Sequence, residues 1–169
     1  MTKLADLNTT PADRFVETLG GIFEHSPWVA DAVAPLRPFA SLDALHAAMA
    51  AAVAAAGESE KLALLRAHPD LAGKLARAGA LTDASTAEQA SAGLDRLSEE
   101  EFQRFTAFNI AYTEKFGFPF IIAVRENTKA SILAAFGRRI TNSREAEFTT
   151  ALAEVAKIAR LRLTNLLGD

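Results

Sequence analysis

The stretch SEEEFQRFTAFNIAYTEKFG, residues 98–117, decides the fold class. It opens with a capping box, in which Ser98 and Glu101 each accept a hydrogen bond from the other's backbone N–H. Its last residue, Gly117, is of the type that most often follows a helix end. The aromatic residues between these two signals recur at helical spacing on one face: Phe102, Phe105, Tyr112 and Phe116. The stretch therefore predicts a long amphipathic α-helix.

Helix signals continue on both sides of this stretch. Thr10 before Pro11 predicts a helix start with Thr10 as N-cap, Ser41 caps another helix, and Ser85 with Glu88 forms a second capping box. The predicted helices lie at 10–23, 29–36, 41–57, 59–67, 71–78, from 85 onward, 98–117, 128–140 and 143–167. Residues 118–124 form one short extended segment. We expect an all-α, single-domain bundle of about eight to nine helices over residues 1–169.

The composition excludes several classes of protein. A net charge of −3 gives no attraction to nucleic acid or anionic membrane, and the absence of cysteine excludes disulfides and thiolate catalysis. Three scattered histidines argue against a zinc site, and no P-loop, Rossmann fingerprint, G-x-S-x-G or H-E-x-x-H motif is present. The alanine-rich run 47–56 is too short for a membrane span, and residues 1–10 lack a signal-peptide pattern. We expect a cytoplasmic protein.

Three helices carry a polar residue on an apolar face, and the first two of these residues are Arg162 and Asn109. Arg162 lies within a C-terminal stripe at steps of four and three residues, whereas Arg160 points away from it. A guanidinium on a core face needs a partner. That partner is a carboxylate or ureido carbonyl of a bound ligand if the role is functional. If the role is structural, it is an acidic side chain of the protein or the solvent at the rim of the core. The pattern alone favours a structural role for Arg162, and a backbone hydrogen bond for Asn109 on the aromatic face. The stripe consists of Phe148, Leu152, Val155, Ala159, Arg162 and Leu166.

His68 and Glu88 each have a structural and a chemical interpretation. His68 continues the face of Leu64 and Leu65 at a helix end, where it could stabilise the helix C-terminus or act as a general acid or base. Glu88 could reach back to Ser85 as part of the capping box. The pattern alone favours the structural role for both residues.

The ordered motifs add a resemblance to these residues. His68-Pro69-Asp70-Leu71-Ala72-Gly73 is followed by STAEQASAGL at 85–94, by F-x-x-x-N-x-x-Y at 105–112, and by FGFPF at 116–120. In this order they resemble the 2-oxo-4-hydroxy-4-carboxy-5-ureidoimidazoline (OHCU) decarboxylase family. The resemblance extends from the first helix to Leu167. The set is specific, although H-P-D-L alone would not be.

The resemblance implies an all-helical homodimer without a cofactor, in which His68 and Glu88 are catalytic. It implies a substrate-binding arginine in an Arg-Leu pair of the last helix, which is Arg160-Leu161 or Arg162-Leu163, and the helical face selects Arg162. Glu88 also belongs to the substrate-binding set that it implies. The other residues of that set are Pro69, Ser85, Thr86, Ala87, Gln89, Phe120, Ile121, Ile122, Ala123 and Val124.

The activity that the resemblance implies is decarboxylation of OHCU to (S)-allantoin. In purine catabolism this reaction completes the conversion of urate to allantoin, after urate oxidase and hydroxyisourate hydrolase, and a functional association with those enzymes stays open. Two rival interpretations also stay open. The first is a different enzyme on the same scaffold that acts on another ureido or oxo acid. The second is a helical interaction module in which His68 and Glu88 are helix caps.

Overall fold

A computed structural model describes residues 1–168, apart from the side chain of Leu75. It confirms the all-α fold class, because every regular element of the described residues is a helix. The α-helices are α1 (Leu4–Thr9), α2 (Ala12–Leu19), α3 (Trp28–Val33), α4 (Leu42–Ala55), α5 (Glu58–Arg66), α6 (Lys74–Arg77), α7 (Asp83–Ser91), α8 (Glu99–Phe116), α9 (Lys129–Arg139) and α10 (Arg144–Leu167). Two short 3₁₀ helices cover Ala34–Leu36 and Val124–Glu126.

Side-chain caps set several of the helix starts. Ser41 caps α4, and Ser98 caps α8 with the capping box to Glu101, as the sequence predicts. The predicted capping box at Ser85 is wrong. The Thr82 hydroxyl caps α7 by accepting from the Ser85 N–H, so Ser85 lies inside the helix. An N-cap three residues earlier leaves Glu88 without a role in capping.

Other boundaries differ from the sequence prediction where the backbone turns. Thr10 is the C-cap of an unpredicted helix, α1, and makes no side-chain cap for α2. The first predicted helix ends at Leu19 rather than at residue 23. The helix predicted at 71–78 contracts to α6, because Ala72 has a positive φ of 52° that no α-helix contains. Residues 119–123 form no regular element and lead into the 3₁₀ helix at Val124.

The chain divides into two compact units. The first unit contains residues up to Ala67 and residues from Ala156 onward. In it α3 packs against α2 and α4, and the Phe15 and Phe39 rings stack with centroids 6.5 Å apart. The Arg37 guanidinium lies 4.7 Å from the centre of the Phe15 ring and donates to backbone carbonyls. This cation–π contact, together with its hydrogen bonds, fixes the turn between α3 and α4.

The second unit, His68–Val155, has an aromatic core. The Tyr112 ring of α8 lies with its centroid 5.2 Å from that of Phe120 and 4.5 Å from that of Phe116. Phe120 in turn stacks on Phe136 of α9, with a centroid separation of 3.8 Å. Aromatic packing therefore holds the irregular segment around Phe120 against both helices.

One buried carboxylate links three helices of the second unit. Glu147 of α10 has no exposed surface. Its Oε1 accepts from the Tyr112 hydroxyl at 2.6 Å and from Arg139 Nε at 2.8 Å, and its Oε2 accepts from Asn142 Nδ2 at 3.0 Å. A buried carboxylate is tolerated only with such a set of partners. Burial, together with the hydrogen bond to Glu147, raises the pKa of Tyr112 well above its ordinary value.

This pKa shift predicts the alkaline behaviour of Tyr112, the single tyrosine of the chain. Because the folded-state pKa lies above the unfolded value of about 10, the protonated tyrosine stabilises the fold fully below that pH, and the contribution is lost as the pH rises further. We expect tyrosinate absorbance to appear only together with alkaline unfolding, which Trp28 fluorescence reports. The variant Tyr112→Phe contains no tyrosine and gives the background absorbance. Ionisation with a midpoint near the ordinary value, in protein that is still folded, would contradict the network.

Candidate active site

His68 begins a turn that leaves the helical path. α5 ends at Arg66, and the side chain of His68 is buried two residues later. Pro69 follows and cannot donate a backbone hydrogen bond. Ala72 then adopts φ 52°, in the left-handed region that residues with a Cβ rarely occupy. Such a conformation persists only where surrounding contacts hold it in place.

Two buried side-chain amides supply those contacts. Gln89 Oε1 accepts from the Ala72 N–H at 2.9 Å, and Gln89 Nε2 donates to the Asp70 carbonyl at 3.2 Å. Asn109 Nδ2 donates to the carbonyl of Leu71, between them, at 2.8 Å. Three consecutive residues after Pro69 are thus bonded to side chains of α7 and α8. The expectation that Asn109 bonds backbone is confirmed.

Helix α7 presents the predicted site residues in two directions. Ser85 and Gln89 are buried, and they are four residues apart on one face. Glu88 lies beside them and is half-buried, whereas the side chains of Thr86 and Ala87 are exposed. The sequence predicted all five residues as substrate-binding. The helix gives Glu88 and its buried neighbours a different environment from that of Thr86 and Ala87.

Cavities border the turn that follows His68. One of about 290 Å³ is lined by Ala72, Thr86 and Gln89 among others, and one of about 370 Å³ by Asp70 and Asn109 among others. Partial burial raises the pKa of the Asp70 carboxyl. Of the predicted site residues, Thr86 and Gln89 line the first cavity.

The segment Phe120–Val124 is buried throughout, and several of its backbone groups have side-chain partners. The Ile121 carbonyl accepts from Arg139 Nη1 at 2.7 Å. The Ala123 N–H donates to Glu154 Oε2 at 3.0 Å, and its carbonyl accepts from Asn127. The segment is therefore fixed by charged and amide groups as well as by aromatic packing.

Three of the predicted site segments meet around α7. Gln89 joins α7 to the turn that begins at His68, and α7 packs against the 3₁₀ helix Val124–Glu126. The second unit thus brings together the segments that carry His68, Glu88 and Val124. Sequence spacing alone cannot show this convergence, because it depends on the long-range hydrogen bonds of Gln89.

Arg162 belongs to the first unit and has an acidic partner there. The Arg162 side chain is buried, and its Nη1 lies 2.7 Å from Glu24 Oε2 and donates to the Gly21 carbonyl at 3.1 Å. The structural acid that the sequence analysis considered is therefore present. Arg160 is partly exposed and pairs with Asp43 at 2.9 Å, as expected for a residue off the buried stripe.

The buried stripe of α10 differs slightly from the predicted one. Phe148, Leu152 and Leu166 are only half-buried, whereas Glu147, Ala151 and Leu163, each close to one of them along the helix, are buried. Arg162 lies within the observed stripe as well as the predicted one. The buried residues of α10 are Glu147, Ala151, Val155, Ile158, Ala159, Arg162 and Leu163.

Sequence reasoning missed four charged residues that hold these segments: Glu24, Arg139, Glu147 and Glu154. One available signal was Glu24 directly after the apolar pair Ile22 and Phe23. Arg139 directly follows the exposed Arg138, and Glu147 and Glu154 lie on α10 among exposed charged residues, so the residue type carries little information at these positions.

Comparisons with known proteins identify the family. Residues 8–164 match the family model of OHCU decarboxylase. The 2-oxo-4-hydroxy-4-carboxy-5-ureidoimidazoline decarboxylase of Haloferax volcanii is 48% identical over 160 residues, which cover 95% of this chain and 93% of that protein. The chain belongs to the OHCU decarboxylase family. The resemblance predicted from the sequence is confirmed.

Two other proteins that are similar to this chain are longer than it. The uric acid degradation bifunctional protein of Bacillus subtilis is 42% identical over 169 residues, which cover 100% of this chain and 33% of that protein. The crystal structure of an (S)-allantoin synthase is similar to this chain, with a TM-score of 0.79 and 36% sequence identity. The similar region covers 98% of this chain and 54% of the synthase chain. This chain thus spans about half of the length of the solved synthase.

Two further features describe the family member. Within residues 1–168, no helix has the length and apolar character that crossing a membrane requires. His46 is half-buried, and its Nε2 contacts the Ala156 carbonyl at 2.8 Å.

The hydrogen bonds of Gln89 predict a local loss of stability. Gln89→Ala leaves the Ala72 N–H and the Asp70 carbonyl without these partners, and we expect the free energy of unfolding in urea to fall by about 1–3 kcal/mol. Gln103→Ala removes the same side chain from an exposed position of α8 and should change stability by at most about 0.5 kcal/mol. Equal unfolding curves for the two variants would contradict the role of Gln89.

Proposed function

We propose that this chain decarboxylates OHCU to (S)-allantoin, with His68 and Glu88 as the catalytic residues. The observation that carries the proposal is the pair of hydrogen bonds from Gln89 to the turn after His68, because Gln89 adjoins Glu88 in α7. Family membership supports the reaction, and the similarity to a solved (S)-allantoin synthase supports the hand of the product.

Loss of CO2 leaves an electron pair on the ring carbon, and this pair must be delocalised. The bond between the ring carbon and the carboxylate breaks, CO2 leaves, and the electron pair moves toward the adjacent ring C=N of the substrate. One proton delivered to a single face of the ring then gives one hand of allantoin. Since the substrate provides its own electron sink, we propose that no cofactor or metal takes part. The protein then positions the substrate, stabilises charge and handles protons.

His68 suits proton handling. An imidazole ring can both accept and donate a proton, and histidine is therefore the commonest general acid or base. In the proposed mechanism His68 takes a proton from the 4-hydroxyl or gives one to the carbanion. Glu88 orients His68 or hydrogen-bonds the ring. The N-cap of α7 is Thr82, so Glu88 does not occupy the third helical position that a capping box requires, and this supports a role for it in the site.

The proposed substrate-binding residues are the same as those expected from the sequence. Arg162 binds the anionic or ureido part of the substrate. A guanidinium presents its N–H donors in a planar fork, which matches the geometry of a carboxylate or a ureido carbonyl. Backbone groups of the Phe120–Val124 segment bind the ring edges. Pro69 and the Ser85–Gln89 segment complete the set.

The assembly and location of the protein belong to the same proposal. We propose that residues 1–169 act as one catalytic domain, as a homodimer, in the cytoplasm. A functional association with urate oxidase and hydroxyisourate hydrolase is supported by the bifunctional uric acid degradation protein of Bacillus subtilis, in which the similar region is about one third of the chain.

Catalytic variants test the proposal. Urate is converted by urate oxidase and hydroxyisourate hydrolase, and circular dichroism follows the optical activity of the allantoin formed. We expect His68→Ala and Glu88→Gln to lower the rate by at least about 10²-fold, the usual contribution of a general acid or base, with unchanged far-ultraviolet spectra. Glu114→Gln, an exposed acid on α8, is the matched control. Full activity of both folded site variants would rule out the assigned roles.

A further inference from the structure

Two charged side chains bond neighbouring peptide groups of the Phe120–Val124 segment. Arg139, the last residue of α9, donates from Nη1 to the Ile121 carbonyl at 2.7 Å. Glu154 of α10 accepts from the Ala123 N–H at 3.0 Å through Oε2. The residue between these two bonded groups is Ile122.

The planarity of the peptide bond determines where the polar groups of Ile122 point. In a trans peptide the C=O of one residue and the N–H of the next point in opposite directions. The one cis peptide bond among residues 1–168 precedes Pro38, so both peptide bonds of Ile122 are trans. The Ile122 N–H therefore points away from Arg139, and its C=O points away from Glu154.

Arg139 is itself held rigidly. Its Nε donates to the fully buried Glu147 at 2.8 Å, and its guanidinium lies 4.3 Å from the centre of the Phe120 ring. The hydrogen bond of Nε and the contact with the Phe120 ring therefore fix the orientation of the guanidinium plane, whose Nη1 donates to Ile121. Hydrogen bonds with an ionised partner are stronger than neutral ones, so Arg139 and Glu154 both restrain the segment strongly.

We propose that Glu154 and Arg139 are positioning residues, which orient the N–H and C=O of Ile122 toward the substrate. The inference rests on the proposed function, in which the backbone of this segment binds the ring edges. A donor and an acceptor on one residue match an amide or ureido edge of the substrate, which has one of each. Neither charged residue needs to touch the substrate for this role.

Glu154 is the better residue to test. Arg139 also belongs to the buried network of Glu147 and Tyr112, so its substitution would disturb the core. Glu154 is half-buried, and Glu154→Ala removes the acceptor of the Ala123 N–H. Glu154→Gln has a side chain of the same length, so its amide oxygen can still accept from the Ala123 N–H. Glu145→Ala, on the exposed first turn of α10, is the matched control.

The coupled allantoin assay gives the result. We expect Glu154→Ala to raise KM about tenfold, which is the effect of losing one hydrogen bond with a charged partner. The change in kcat should be smaller, because backbone contacts bind the substrate and the transition state equally. Glu154→Gln should recover most of the wild-type KM, and Glu145→Ala should match wild type. In nuclear magnetic resonance spectra, the amide signals of Ile122 and Ala123 should shift in Glu154→Ala and return toward wild type in Glu154→Gln.

The outcomes separate the two proposals. If the folded wild-type protein produces no optically active allantoin, the proposed function fails and this inference fails with it. If wild type is active but Glu154→Ala keeps the wild-type KM and amide signals, the inference alone is overturned. If Glu154→Ala does not fold, Glu154→Asp keeps the charge but shortens its reach, and an unchanged KM there would overturn the inference equally.

Discussion

The turn from Asp70 to Ala72 depends on hydrogen bonds from side chains instead of from other backbone. Buried backbone groups must find partners, and a turn with Ala72 in the left-handed region cannot find them within a helix. Gln89 and Asn109 provide them at three consecutive residues. Since Gln89 adjoins Glu88, one side chain fixes both the turn that begins at His68 and its position against α7. This constraint holds the turn that follows His68 against the helix that carries Glu88.

Buried charges extend the same principle to the rest of the chain. Within each compact unit a buried acid pairs with a buried arginine: Glu24 with Arg162 in the first, and Glu147 with Arg139 in the second. A lone buried charge would be strongly destabilising, so each pair must form for its unit to fold. Each arginine also donates to a backbone carbonyl of an irregular segment. The pairs therefore fix the shape of loops that helical propensity alone would leave undefined.

The sequence predicts the helices well because their signals are local. The caps at Ser41 and Ser98 and the aromatic face of α8 need no knowledge of tertiary contacts. The second capping box was wrong since Thr82 and Ser85 are both good caps three residues apart, and local chemistry does not rank them. The site is less predictable for a physical reason. The family motifs point to His68 and Glu88 as candidates, but they do not show that Gln89 and Asn109 hold the turn after His68 through their side chains.

Hydrogen exchange of the Ala72 amide measures directly whether the Gln89 side chain holds the turn after His68. Nuclear magnetic resonance can follow that amide alongside the amides in the middle of α7. If Gln89 holds this turn, Ala72 exchanges as slowly as the buried amides of α7 although it lies outside any helix, because both are released by the same opening. Exchange of Ala72 near the rate of an unprotected peptide, while α7 stays protected, would contradict it.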